Sequence, residues 1–539
     1  MNPTDGEQVR RDGREPVLVR FRPVAAVSAL AATRVHEAEV ERVGGHVRYT
    51  WPRLHALAAW LRPEERQALA RSPDVLALEP DGRVRASGVT PLGGAVLAGS
   101  PGEYTEGLRM IQAPQVWDAD EDGTLDSGAP TGEGLKVCVI DSGWDDRHPE
   151  LQAAYAGGWD FLEDDSDARD YSTALHAWGG GHGTHVAAIL AARLGSGGGV
   201  RPGYEPGGVV GVAPGASLLI ARVLDIHGQG RMSDVIEALQ WCRGQGARIA
   251  SLSLASPTPG ELVRKAFEDA LSAGMLSVAA SGNAGMAHPS SIAYPAAYPS
   301  VLAVGAVDLL GQHLMFSQSG PELGLVAPGM DVLSATLLGA ASCSSVEAGE
   351  RRFASQALES SGPGDSTGPL VDCGLGESAT SCGQSAPTGG FIALVARDGN
   401  SLALSRKVSH VVAQGARAVI IRNDVPEDGE GTFSLTEPGP WPPVVSVSYD
   451  SGMELGVLAG TSVRVSATRV DYARMTGTSM ATAYVSGVAA LVWSARPSLT
   501  PMQVHELLRR SASELGAQGH DDTFGWGLVQ ARAALELLP

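Results

Sequence analysis

No run of this 539-residue chain approaches the ~20 consecutive apolar residues that a membrane-spanning helix requires. Neither a dinucleotide fingerprint nor a phosphate-binding loop is present, so no nucleotide cofactor is indicated. Lysine is nearly absent: Lys136, Lys265 and Lys407 are the only ones, and arginine supplies the rest of the positive charge. That bias points to no function. The net charge of −20 is more informative, because it argues against nucleic acids and anionic membrane surfaces as partners. Cysteine is sparse, at five. Cys138 and Cys242 fall in apolar segments and read as small core residues. Cys343, Cys373 and Cys382 cluster, which suggests a disulfide, most simply Cys373–Cys382, with Cys343 unpaired and an oxidising compartment hinted at. The amino-terminal MNPTDGEQVRRDGREP lacks the hydrophobic core of a secretion signal. Export by another route, a displaced start and an intracellular protein all stay open.

What is present is a globular composition, 43% hydrophobic and 19% charged, at a length that predicts two to four domains. Residues 475–487, MTGTSMATAYVSG, place Ser479 between small residues where a loop enters an apolar helix. Gly477 and Ala481 leave room for a peptide backbone to approach, and the helix amino terminus adds positive potential. KVCVIDSG (136–143) is a continuous apolar run ending in Asp141, the pattern of a strand buried on both faces with its carboxylate at the carboxyl edge. GGHGTHVAAIL (180–190) puts His182 at the start of another apolar helix. Apolar strand-like runs alternating with helical segments predict an α/β fold with a doubly wound parallel sheet.

Aspartate, histidine and serine in this chain order resemble a subtilase, a subtilisin-like serine peptidase. The resemblance extends to SVAASGNAG (277–285), GVAPGA (211–216), YPAAYPSVLAVGAVD (294–308), FSQSGPELGLVAPG (316–329) and FGWGLVQARAAL (524–535). It implies Ser479 as nucleophile, His182 as the base that takes its proton, and Asp141 as the group that orients the imidazole. It also implies Asn283 and the Ser479 backbone N–H as oxyanion donors. Ser253, Leu254, Ala255, Ala280, Ser281 and Gly282 fall where the family binds substrate. His185, His148 and Ser142 read as structural neighbours. After GTSMA the chain runs Thr482, Ala483, Tyr484 and Val485, a departure that touches no triad group. Ala255 and Ala293 narrow the primary pocket, and Ala284 supplies no acidic group there. An apolar, medium-sized side chain is expected at the residue before the cut.

Around this core the chain divides into a polar segment (1–15), an inhibitory propeptide-like α+β domain (16–86), and a linker or processing region (87–104). The catalytic domain then runs through 105–335 and 471–539, separated by an insert (336–470) that resembles a protease-associated domain. An ordinary amino-terminal domain is the plainer reading of 16–86. DADEDGTLD spaces Asp118, Asp120, Asp122 and Asp126 like the start of a calcium loop, but the twelfth-position glutamate is missing, and a solvated acidic turn is the preferred reading. Glu150 matches a calcium position of relatives, and EDDSDARD (163–170) is a second acidic loop. No cofactor is required for the chemistry, and structural calcium is the one candidate ion. The expectation is a monomeric, extracellular or cell-envelope serine endopeptidase acting on proteins or peptides, made as a precursor inhibited by its own propeptide. A catalytically silent subtilase-fold binding protein and a narrow-specificity processing peptidase are the alternatives.

Overall fold

The computed structural model describes residues 13–23, 28–87, 103–170, 181–196, 208–383, 387–398, 402–426, 429–431, 433–437 and 439–539. The expected linker therefore lies almost wholly outside the described residues, as does most of the polar amino-terminal segment.

The first module is a four-stranded antiparallel sheet backed by two helices. Its elements are β1 (Glu15–Phe21), α1 (Ala29–Arg42), β2 (His46–Trp51), β3 (Ala56–Leu61), α2 (Pro63–Leu69) and β4 (Val75–Pro80), with sheet order β2-β3-β1-β4. Helix α2 begins at a proline, whose fixed φ suits a first helical position, and Glu65 closes back on the Arg62 backbone. The chain then leaves the module through β5 (Arg83–Ala86), which pairs with the next domain instead of its own.

That next domain is built on β6 (Lys136–Asp141), β7 (Tyr155–Asp160), α3 (His182–Ala191), β8 (Ser217–Arg222), β9 (Gln229–Arg231), α4 (Met232–Gly244), β10 (Ile249–Leu252), β11 (Leu254–Ala255), α5 (Glu261–Ser272), β12 (Leu276–Ala280), β13 (Val301–Val307) and β14 (Leu323–Pro328). Seven of these strands form a wholly parallel sheet in the order β14-β13-β12-β10-β6-β8-β7. Both faces are covered, so the central strands show unbroken burial in place of alternation. Strand β6 lies between β10 and β8 and delivers Asp141 to the carboxyl edge of the sheet, where open α/β folds place their ligands. Helix α4 packs on β6, and Cys138 and Cys242 are joined across that contact with Cα atoms 5.9 Å apart. The sequence treats these cysteines as two separate core residues, since nothing in a spacing of 104 residues reveals their contact.

Strand β15 (Val332–Ala335) opens the way into a second sheet. Its strands are β16 (Ala341–Ala348), β17 (Arg351–Phe353), β18 (Gln356–Ala357), β19 (Gly364–Asp372), β20 (Phe391–Ala396), β21 (Ala416–Arg422), β22 (Val444–Val447) and β23 (Ser462–Val470). They associate in the order β17-β16-β23-β19-β20-β21-β22-β18, with α6 (Leu404–Ala413) and α7 (Tyr449–Val457) packed against β21. Cys373 and Cys382 are bonded, and Cys343 lies in β16, outside that bond. The return strand β24 (Tyr472–Met475) pairs antiparallel with β15, so the unit hangs on a two-stranded ribbon that runs directly into α8 (Thr478–Ala495). Helix α9 (Pro501–Ser511) follows, with a Thr500/Gln503 capping box. Among the described residues no helix is long and apolar enough to cross a membrane.

Candidate active site

Asp141 ends β6 and is 1% exposed. Its Oδ1 lies 2.7 Å from Nδ1 of His182 and also accepts the Ser142 backbone N–H at 2.7 Å. His182 is the first residue of α3, a helix buried along its whole length. The turn before it requires glycine: Gly181 has φ +83°, and a Cβ there would come within 2.3 Å of Thr336 Oγ1. Burial pulls the His182 pKa down, but the charge and hydrogen bond of Asp141, helped by Asp170, outweigh it and leave the pKa raised. With Nδ1–H donated to the carboxylate, Nε2 is the basic nitrogen, and among the described residues it has no hydrogen-bond partner.

Ser479 lies in the first turn of α8, which packs along α3. Its hydroxyl donates to the Ser253 carbonyl at 3.1 Å, and the Ser253 hydroxyl donates to the Ser479 carbonyl at 3.0 Å. The hydroxyl is therefore engaged by Ser253 and makes no hydrogen bond to His182.

Asn283 has its side-chain amide fixed by chemistry. Oδ1 accepts from both the N–H and the hydroxyl of Thr478, at 3.0 and 2.9 Å, so Nδ2 must face the other way. There it donates to the Ser87 carbonyl at 2.6 Å. The Ser479 N–H converges on the same carbonyl oxygen at 3.2 Å. The Ser87 N–H is held in turn by the Ser253 carbonyl at 2.9 Å.

The segment leading to Ser87 lies as a middle strand. β5 pairs with β11 on one side, Leu254 opposite Ala86 and Ala255 opposite Arg85, and with β9 on the other. Ser253, Leu254 and Ala255 thus form one wall of a cleft that holds the chain's own residues 83–87. Ala280, Ser281 and Gly282 lie at the end of β12. The Ser281 carbonyl accepts the Ala293 N–H, and the Gly282 carbonyl accepts the Gln318 N–H. Gly282 has φ +108°, and a Cβ there would stand 3.1 Å from that of Ala293 and 2.0 Å from Gln318 Oε1.

The neighbours find structural places. His185 Nε2 sits 3.1 Å from the carbonyls of both Val332 and Ala473, pinning the β15/β24 ribbon, and burial pushes its pKa down to about 3. His148 Nε2 meets the Asp471 carbonyl. Ser142 bonds to Asp170, the last residue of the second acidic loop. Nothing local distinguishes Asp170 from the exposed acids beside it; its burial follows from the packing of residues 168–170 against Trp144.

The candidate cation ligands separate. Asp118, Asp120 and Asp122 each bring an oxygen within 4.8 Å of the others. Asp118 also accepts from Tyr104 and from the backbone of Asp122 and Gly123, while the Asp122 charge pushes the Asp120 pKa up. Asp126 turns to the Ala119 N–H, and Glu150 is buried elsewhere, accepting from Val209 and Tyr472.

A buried carboxylate–imidazole pair, a helix-borne serine and two donors on one carbonyl oxygen, all at the carboxyl edge of a parallel sheet, are the groups that a serine hydrolase uses. Comparisons with known proteins narrow the class. The model of the Subtilase family (Peptidase_S8) matches residues 132–362 and 376–527. The chain is 32% identical over 329 residues to an alkaline protease of Alkalihalobacillus alcalophilus, covering 60% of this chain and 74% of that protein. It is 39% identical over 228 residues to subtilisin BL of Lederbergia lenta, covering 42% and 72%. The crystal structure of a psychrophilic subtilisin-like protease from Pseudoalteromonas sp. AS-11 matches with TM-score 0.51 and 30% identity, over 80% of this chain and 96% of that one. Fervidolysin from Fervidobacterium pennivorans shares the fold at TM-score 0.58 and 20% identity, over 97% of this chain and 61% of that one. The chain belongs to the subtilase family, and it is a serine endopeptidase.

Proposed function

We propose that this chain is a subtilisin-like precursor whose residues 13–87 inhibit it, whose triad is Asp141, His182 and Ser479, and whose self-cleavage breaks the Ser87–Gly88 bond. One observation carries the reading: the Ser87 carbonyl oxygen accepts from both Asn283 Nδ2 and the Ser479 N–H. Those are the donors that an oxyanion at that carbon needs. Ser479 turns its hydroxyl from the Ser253 carbonyl towards His182 Nε2, loses its proton to that nitrogen and attacks the Ser87 carbon. Asp141 holds the imidazole tautomer and steadies the imidazolium. Collapse expels the Gly88 amine, which takes the proton from His182, and water then releases Ser87 from the acyl-enzyme. Replacing Asn283 should cost roughly 10²–10³ in turnover, a magnitude measured in subtilisin itself.

In this reading the module that ends in β5 occupies the cleft as a substrate would, so external proteins are cut only once it leaves. Residues 336–470 act as a protease-associated domain that shapes access for large substrates, and export to the cell exterior or envelope accompanies the zymogen. A calcium ion at Asp118, Asp120 and Asp122 would serve stability and stay out of the chemistry.

The test is the amino terminus of the processed protein. Wild type should yield a mature chain beginning at Gly88, read by mass or amino-terminal sequencing, and Ser479→Ala should stay full length while remaining folded. A fluorophosphonate should label Ser479 in the processed enzyme. A mature terminus elsewhere, or self-cleavage by the Ser479→Ala chain, removes the assignment.

A further inference from the structure

Asp170 is 9% exposed and has no part in the chemistry described above. Its Oδ2 accepts the Gly181 N–H at 2.9 Å, the Ser142 hydroxyl at 3.2 Å and the Thr184 hydroxyl at 3.4 Å. Each of these donors belongs to the machinery that carries the Asp141–His182 pair. Ser142 follows Asp141, gives its N–H to the Asp141 carboxylate at 2.7 Å, and accepts the Gly183 N–H on its hydroxyl at 2.9 Å. Gly181 caps the helix that begins at His182, and Thr184 lies in that helix's first turn. One carboxylate oxygen therefore ties the loop after β6 to the first turn of α3.

The close approach depends on glycine at two places. A Cβ on Gly143 would lie 2.7 Å from the Ala168 carbonyl oxygen, and one on Gly183 would lie 2.1 Å from the Gly143 carbonyl oxygen. Asp170 itself is held from behind, its N–H bonded to the Trp144 carbonyl at 2.8 Å.

We propose that Asp170 is a positioning residue for proton transfer, holding Asp141 and His182 in register and supplying the second buried negative charge that steadies His182 while it carries the proton. Burial, and then the Asp141 charge, push the Asp170 carboxyl up to about 7. Its own charge raises the His182 pKa. The groups facing it are Asp141 from β6 and His182 from α3, and His185 on the same helix stays neutral. Asp145, in the loop after β6, has its charge answered by Arg147, and Asp167, beside Asp170, has its charge answered by Arg169.

The sign follows. Removing the Asp170 charge lowers the His182 pKa, so the neutral base persists to lower pH, and the imidazolium formed on attack is less stabilised. The inference concerns proton transfer in the peptidase and rests on His182 as its base. It does not depend on where the precursor cuts itself.

The experiment compares Asp170→Asn and Asp170→Ala with wild type, at matched active-site titre, on a small chromogenic peptide across pH 5–10. Asp170→Asn retains an acceptor for the Gly181 N–H but loses the charge. Its plateau kcat should fall about tenfold or more with little change in KM, and its acid limb should move down by about 1 pH unit. The melting temperature of Asp170→Asn should stay near wild type. Wild-type kcat and pH profile in Asp170→Asn would overturn the proposal. If Asp170→Asn does not fold, Ser142→Ala provides the second arm, because it cuts the tie and leaves the charge. It should lower kcat at the alkaline plateau, where Asp170 keeps its charge, and a wild-type kcat there would also overturn the positioning role. Activity retained by His182→Ala would defeat the assignment of the base itself, a different outcome from any of these.

Discussion

At the scale of single residues, two histidines one helical turn apart have opposite fates because their surroundings differ. His182 faces a carboxylate that raises its pKa, while His185 is sealed beneath the β15/β24 ribbon with only carbonyl oxygens for partners. His182→Ala should lose about 10⁶ in turnover with the fold unchanged, the magnitude that loss of the histidine costs in subtilisin. His185→Ala should instead lower the melting temperature and take activity on all substrates down in proportion. The pH response of His185 also has a definite sign. Its folded pKa is depressed to about 3, so the unfolded chain takes up a proton first as pH falls from about 6.5. Stability should therefore drop through that window, and His185→Gln should flatten the drop in a melting series. Full activity in His182→Ala would reverse the two roles.

At the scale of an element, β5 is the most informative strand. Val84 is fully buried and Ser87 is 3% exposed, whereas Arg83 and Arg85 face solvent. On the proposed Ser87–Gly88 cut, the cleft would read the fourth residue before the cut and the one adjoining it, and leave the third and fifth unread. Beside Gly282 stand Ala293 and Gln318, each 6% exposed. The sequence led to an apolar, medium-sized residue at the cut; the occupant of the cleft is a serine. Processed enzyme should prefer peptides with alanine or serine before the cut over phenylalanine by about tenfold or more in kcat/KM, and valine four residues before it over aspartate. Exchanging arginine for glutamate at the third place should matter little. Ala293→Gly should recover phenylalanine substrates. A library profile led by phenylalanine would refute this reading of the cleft, whatever the mature terminus proves to be.

At the scale of the whole molecule, the first module docks by finishing helices that belong to another domain. Asp81 accepts the N–H and hydroxyl of Ser233 at the start of α4, and Glu79 accepts the Leu262 N–H at the start of α5. Each carboxylate meets the positive end of a helix. Around them Arg48 pairs with Asp234 at 2.9 Å, Tyr49 donates to Asp234, and Trp51 donates to Glu237. Burial raises the pKa of Asp81 and Glu237, and takes Asp234 up to about 7. If the module leaves as the proposed propeptide would, these carboxyls regain water, and its docking is then expected to take up protons. Its advantage is full below about pH 4 and is lost as pH rises towards 7, by up to about tenfold per pH unit for each proton. Added residues 1–87 should inhibit processed enzyme more weakly at pH 7.5 than at pH 5.5. Asp234→Asn should reduce the difference, and an inhibition constant independent of pH would count against proton-linked release.

The sequence by itself determined the chemistry and the class of fold. The motifs that carry Asp141, His182, Ser479 and Asn283 stand out because each is a short stretch whose glycines and apolar neighbours impose local geometry. The parallel sheet was legible because strands buried on both faces lose their alternation. The tertiary structure decided what depends on distant residues meeting. The Cys138–Cys242 bond depends on α4 lying against β6. The burial of Asp170 depends on a loop packing behind the Asp141 turn. The placement of the Ser87 carbonyl depends on β5 slipping between β9 and β11. Local patterns are written in adjacent residues, whereas these three features arise from backbone groups that find their partners only after the chain has folded.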